Sequence, residues 1–230
     1  INLMGKSFRK FGWNAVFVDN DNPEAFRAAV TEKTRAIFVE SLANPGGVIV
    51  DLEAIAKIAQ EAEVPLIVDN TMATPWLCRP FEWGADLVVH STTKFLSGQG
   101  NAMGGIVIDS GRFPWFGNAK YPSLSEPCPD YNGLTFAETF GDMAFTLYSH
   151  AVSLRDLGCT QSPMNAWITL NGVETLPLRM ERHVENAQKV AGFLQQHPSV
   201  EWVSYAGLSS SPYYQPVSYT HLTLPTIVDV

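Results

Sequence analysis

The sequence predicts an α/β fold: a mostly parallel sheet with helices on both faces. Three observations carry this reading. Two short apolar runs, Leu66-Ile67-Val68-Asp69 and Leu87-Val88-Val89-His90, are introduced by Pro65 and Gly84 and give way to polar residues, the pattern of neighbouring strands buried on both faces. Between residues 52 and 62, Leu52, Ile55, Ala56, Ile58 and Ala59 recur at helical spacing behind the capping residue Asp51. Strand and helix therefore alternate, as in a doubly wound layer.

In chain order, residues 1–12 read as the second half of an element already under way, so the chain is expected to begin mid-domain. Residues 14–19 have strand character. Asn22 and Pro23 open a short helix to about Val30, as N-cap and first-turn proline. A strand is expected over 35–40, then a loop through Asn44-Pro45-Gly46-Gly47. After the strands at 66–69 and 87–90, another is expected over 104–109. Residues 110–135, rich in Pro, Gly and aromatics, are too long for a simple connection and imply an active-site cover or an oligomer contact. Helices are expected over 137–157, with Gly141 as a weak point, over 164–170, and over 176–196 with Arg179, Arg182 and Lys189 facing outward. A strand over 200–205 follows. Residues 216–230, rich in Thr and without charge until Asp229, differ in character and read as a non-native tail.

The 230 residues suffice for one large domain or one and a half ordinary ones. With 46% hydrophobic and 17% charged residues the composition is globular. No apolar run approaches a membrane span and residues 1–6 lack a signal-peptide layout, so no membrane partner and a cytoplasmic location are expected. A net charge of -8 without a Lys/Arg stripe argues against nucleic acid. Cys78, Cys128 and Cys159 fit neither a disulfide framework nor a zinc site and read as reduced thiols, and the five histidines form no metal-binding pair.

In parallel sheets the chemistry gathers at the carboxyl ends of the strands. Asp69 ends one strand there, and Ser91, Thr93 and Lys94 follow the next. A lysine beside a sheet is partly desolvated, which favours the neutral amine that condenses with an aldehyde. Two hydroxyls suit a phosphate, and a carboxylate suits a protonated pyridine nitrogen. Those are the three demands of pyridoxal 5'-phosphate (PLP). Taken singly, Lys94 reads far more often as a solvated charge than as a catalytic group, Asp69 could be a turn cap, Ser91 and Thr93 ordinary turn formers, and Asn44 a turn residue or a cofactor contact. His90 reads as a satisfied core histidine. The glycine-rich run 98–105 lacks the dinucleotide spacing and precedes a strand, so its expected role is close backbone approach near Lys94.

The run Asp86-Leu87-Val88-Val89-His90-Ser91-Thr92-Thr93-Lys94-Phe95-Leu96-Ser97-Gly98-Gln99-Gly100 resembles the PLP-lysine signature of the trans-sulfuration (Cys/Met metabolism) enzymes. Residues 40–47, 68–71, 161–163 and 172–176 support the likeness, which extends to about Tyr214. The resemblance implies an aspartate-aminotransferase-like fold of the PLP-dependent transferase fold type I. It implies a large domain over 1–172 and the start of a smaller one over 173–215. It further implies Lys94 as the residue bonded to the cofactor, Asp69 on the ring nitrogen, Ser91 and Thr93 on the phosphate, and Asn44 on the ring-hydroxyl side. Phe113-Pro114-Trp115, residues 130–134, residues 179–183 and residues 205–208 resemble the branch that exchanges acetate for sulfide on O-acetyl-L-homoserine. Cystathionine γ-synthase and methionine γ-lyase chemistry are the related alternatives; an internal fragment without catalysis is the alternative of another class. Gln99 departs from the histidine many relatives carry. A homotetramer is the assembly the resemblance implies.

Overall fold

The computed structural model describes residues 2–214 and the backbone of Ile227 and Val228. A four-stranded sheet runs β1 (Ile37–Glu40), β2 (Leu66–Asp69), β3 (Leu87–Ser91) and β4 (Gly105–Asp109), in that spatial order. The first three strands are parallel, with Val39 opposite Val68 and Val68 opposite Val88; β4 returns antiparallel, with Val89 opposite Val107. Val64, Leu66 and Val68 are fully buried, as expected of strands covered on both faces.

Helix α1 (Pro23–Ala29) starts where Asn22 Oδ1 accepts from Glu24 N. Helix α2 (Leu52–Glu61) starts where Asp51 Oδ1 accepts from Ala54 N, and it buries Leu52, Ile55, Ile58 and Ala59 against the sheet. Then come α3 (Thr74–Leu77), α4 (Pro122–Ser125), α5 (Phe136–Phe140), α6 (Ala144–Tyr148), α7 (Arg155–Leu157), α8 (Pro163–Glu174) and α9 (Leu176–Gln195). Leu176 and Met180 of α9 join the same buried cluster as Leu66 and Val68. Burial pushes the Cys78 thiol up to about 12, which keeps it protonated and inert.

Several expectations are corrected. Residues 14–19 form no strand, and Val16 and Phe17 are exposed. Strand character needs a neighbouring ladder, and none of the described strands supplies one. The single helix expected over 137–157 is broken: Gly141 enters the left-handed region at φ 54°, a 3-10 turn follows, and wider π-helical turns at Ser149–Leu154 separate α6 from α7. Helix α8 is longer than the expected 164–170, because Ser162 and Pro163 start it early and Gly172 does not stop it. The strand over 200–205 shrinks to β5 (Val203–Ser204), paired with β6 (Ile227–Val228). The proposed tail lies outside the described residues except for that short pairing.

Residues 110–135 form an aromatic cluster of their own, in which Trp115 stacks on Phe145 and meets Tyr121 edge-on. Tyr121 Oη donates to Arg35 O, Asn118 Nδ2 to Glu63 O and Lys120 Nζ to Ala62 O. All three acceptors precede β1 or β2. The cluster is thus anchored at the amino ends of the strands, opposite Asp69 and Ser91, and does not cover them.

Candidate active site

Parallel register sets Glu40, Asp69 and Val89 side by side, with Ser91 ending the third strand. A buried polar staple fixes these ends. Ser41 N donates to Asp69 O (3.0 Å), Ser41 Oγ to Asn70 Oδ1 (2.7 Å), Asn70 Nδ2 to Cys78 O (2.8 Å), and Asn70 N to Val89 O (2.9 Å). Ser41 and Asn70 are buried with their side-chain bonds made, the condition under which a polar network rigidifies its surroundings.

Asp69 Oδ1 accepts from Thr71 N (2.9 Å), and Thr71 Oγ1 accepts from Ser91 N (2.8 Å). One threonine therefore links the carboxylate of β2 to the end of β3. Asn44 joins the row indirectly: its N–H donates to Glu40 Oε2 (2.9 Å), while its side chain is exposed. Thr93 Oγ1 accepts from Gly104 N (3.2 Å), and its own hydroxyl makes only a long 3.4 Å contact to Gly104 O. Lys94 lies in the turn after β3, where its N–H donates to Ser91 O (3.4 Å) and its carbonyl accepts from Gly98 N (2.9 Å). The Lys94 side chain is exposed and makes no ion pair among the described residues. Asp69 and Ser91 are thus joined through Thr71, Asn44 is held through Glu40, and Thr93 is turned towards Gly104.

His90 is buried, but its Nδ1 has no hydrogen-bond partner, which differs from the satisfied ring expected. Burial lowers its pKa from the ordinary 6.5, against the opposing pull of the Asp69 charge and a backbone hydrogen bond with Asn70. A folded-state pKa below the unfolded one gives stability that is present above about pH 6.5 and is lost as pH falls through the folded value. The unfolding free energy is expected to fall on acidification below about pH 6.5, with up to about 1.4 kcal/mol per pH unit from this one proton. Urea unfolding of His90→Asn should lack that component; an identical slope in the variant would assign it elsewhere.

Sequence reasoning gave no role to Glu40, Asn70 and Thr71, although they lie in the segments 40–47 and 68–71 that carry the family likeness; the parallel register shows what they hold. The same reasoning misplaced Arg179. The guanidinium turns inward, donating from Nη1 to Phe95 O (2.9 Å), from Nη2 to Gly172 O (2.7 Å) and from Nε to Thr175 Oγ1 (3.1 Å). Burial lowers its pKa from the usual guanidinium value. A cavity of about 360 Å³ lies between residues 97–101 and the helices α8 and α9, with Arg179 and Trp167 among its lining; it contains neither Asp69 nor Ser91.

The model of the Cys/Met metabolism PLP-dependent enzyme family matches residues 1–225. The chain belongs to that family. This Cys/Met metabolism enzyme is 50% identical over 228 residues to an O-acetyl-L-homoserine sulfhydrylase of Leptospira meyeri, covering 96% of the chain and 51% of that relative. It is 44% identical over 211 residues to a homocysteine synthase of Schizosaccharomyces pombe, covering 91% and 49%. Among solved structures, an O-acetylhomoserine (thiol)-lyase of Campylobacter jejuni superposes with a TM-score of 0.92 at 38% identity, over 95% of this chain and 54% of that one. That crystal structure carries N'-pyridoxyl-lysine-5'-monophosphate. The chain spans about half the length of the curated relatives it matches. Its fold is that of the type I PLP-dependent enzymes, and the residues present fit the cofactor. Asp69 offers a carboxylate with one oxygen already oriented by Thr71 N, Ser91 and Thr93 offer hydroxyls, and Lys94 offers an amine that makes no ion pair among the described residues.

Proposed function

We propose that the protein carrying this chain replaces the acetoxy group of O-acetyl-L-homoserine with sulfide, giving L-homocysteine and acetate. The observation that carries the proposal is the joined row at the strand ends, Asp69 to Thr71 to Ser91 with Lys94 just beyond, in a chain half identical to an O-acetyl-L-homoserine sulfhydrylase. When bound, pyridoxal phosphate supplies an electron sink for the substrate's α carbon. Lys94 would hold the cofactor and would move protons at the substrate's α and β carbons. Asp69 would pair with the ring nitrogen and favour its protonated form. Ser91 and Thr93 would hold the phosphate, Thr93 having only a weak contact to Gly104 O to give up. Asn44 would contact the ring-hydroxyl side. Acetate leaves from the γ carbon with its bonding electrons, and hydrosulfide forms the new carbon–sulfur bond there.

Within this proposal the large domain spans 1–172 and the smaller one begins at 173, in the last turn of α8. Assembly is homotetrameric and cytoplasmic; exposed Met164, Trp167 and Leu170 of α8 give an assembly an apolar surface to cover. No helix among the described residues is long and apolar enough to cross a membrane.

The test is a product assay on the full-length protein with O-acetyl-L-homoserine and either sulfide or cysteine. Homocysteine from sulfide, at least about tenfold faster than cystathionine from cysteine, is expected, a ratio within what a differently shaped nucleophile pocket supplies. Preference for cysteine would overturn the assignment.

A further inference from the structure

The loop that carries Lys94 is held from outside the strand-end row. Residues 95, 96 and 97 turn successive carbonyls towards the junction of α8 and α9. A Cβ on Gly172 would lie 2.5 Å from Leu96 O and 2.4 Å from Ser97 O, so the helix backbone presses directly on the loop and leaves no room for a side chain. Gly98, at φ 82°, is equally confined: a Cβ there would lie 2.7 Å from the Arg179 guanidinium carbon.

Arg179 closes this contact. Its three hydrogen bonds join Phe95 O, one residue from Lys94, to Gly172 O and Thr175 Oγ1. Gly172 O is one of the last carbonyls of α8, at its negative dipole end, where it also accepts from Thr175 N and Thr175 Oγ1. None of the acceptors is a carboxylate, so the charge serves the loop and the helix end. A planar fork can reach three oxygens at fixed angles where a lysine ammonium cannot. Phe95 is also packed, its ring 5.3 Å from that of His183.

We propose that Arg179 is a positioning residue for Lys94: by tying Phe95 O to the end of α8 it fixes the direction in which the lysine leaves the strand end. The proposal rests on Lys94 being the cofactor lysine.

The experiment compares the full-length protein with Arg179→Gln, Arg179→Lys and Lys94→Ala by two readouts. The first is amide hydrogen exchange without cofactor, at Gly98, whose N–H bonds to Lys94 O, against Val68 in the core. The second is the fraction of bound PLP that borohydride fixes to Lys94, together with the pH midpoint of the bound cofactor's visible absorption. Both Arg179 variants are expected to raise Gly98 exchange about tenfold with Val68 unchanged, the size of one lost charged hydrogen bond. Fixation at Lys94 should fall by a similar factor, and the pH midpoint should move by about one unit. Parental Gly98 protection together with parental fixation in Arg179→Gln would overturn the proposal. Where that variant lowers Val68 protection as well, Thr175→Ala, which removes the Nε acceptor together with the Thr175 Oγ1 bond to Gly172 O, carries the same comparison. If the unaltered protein fixes no PLP at Lys94, the cofactor reading fails by itself, and the exchange readout alone decides whether Arg179 holds the loop.

Discussion

Replacing Lys94 with alanine is expected to lower homocysteine formation by about 10³-fold or more, the scale at which a positioned acid–base group acts in a covalent mechanism. Three other lysines are engaged elsewhere. Lys57 pairs with Glu53, Lys189 pairs with Glu185, and Lys120 donates to Ala62 O at the opposite end of the sheet. The Lys94 side chain is exposed and makes no ion pair among the described residues, so the substitution should leave stability within about 0.5 kcal/mol of the parent. Loss of turnover with an unchanged unfolding midpoint is therefore the expected pair of results, read by steady-state assay and thermal unfolding. Turnover at the parental rate would remove Lys94 from the chemistry.

Asp69→Asn is expected to cost about 10²–10³-fold in kcat/KM, the scale of a lost preorganised electrostatic contact. Asparagine keeps the oxygen that accepts from Thr71 N, so the link to Ser91 survives and the strand ends stay in place. What disappears is the negative charge that, in the proposed site, would hold the pyridine nitrogen protonated. Because Lys94 and the phosphate-facing hydroxyls are untouched, the variant should still fix PLP covalently while turning over slowly. Equal kcat/KM for variant and parent would show that the carboxylate does not face the ring.

Much of this architecture was legible where local signals and tertiary demands agree. Asp51 and Asn22 cap the helices that their positions announced, and the apolar runs at β2 and β3 lie buried and parallel because only a covered strand tolerates such continuous hydrophobicity. Asp69, Ser91 and Lys94 fall at the carboxyl ends for the same reason. Residues 14–19 misled because strand propensity is realised only when another strand offers its hydrogen bonds. Arg179 misled because helical spacing tells which face a residue lies on, while a long side chain can turn back onto carbonyls of a loop 84 residues earlier in the chain. Residues 110–135 gave composition without direction; the contacts of Tyr121 and Lys120 decide which end of the sheet the segment occupies.

The most direct measurement is borohydride reduction of the PLP-loaded full-length protein followed by peptide mapping. A single pyridoxyl label on the peptide bearing Lys94, absent from Lys94→Ala, is the expected result. A label spread over other lysines, or undiminished in Lys94→Ala, would contradict the assignment of the cofactor site to these strand ends.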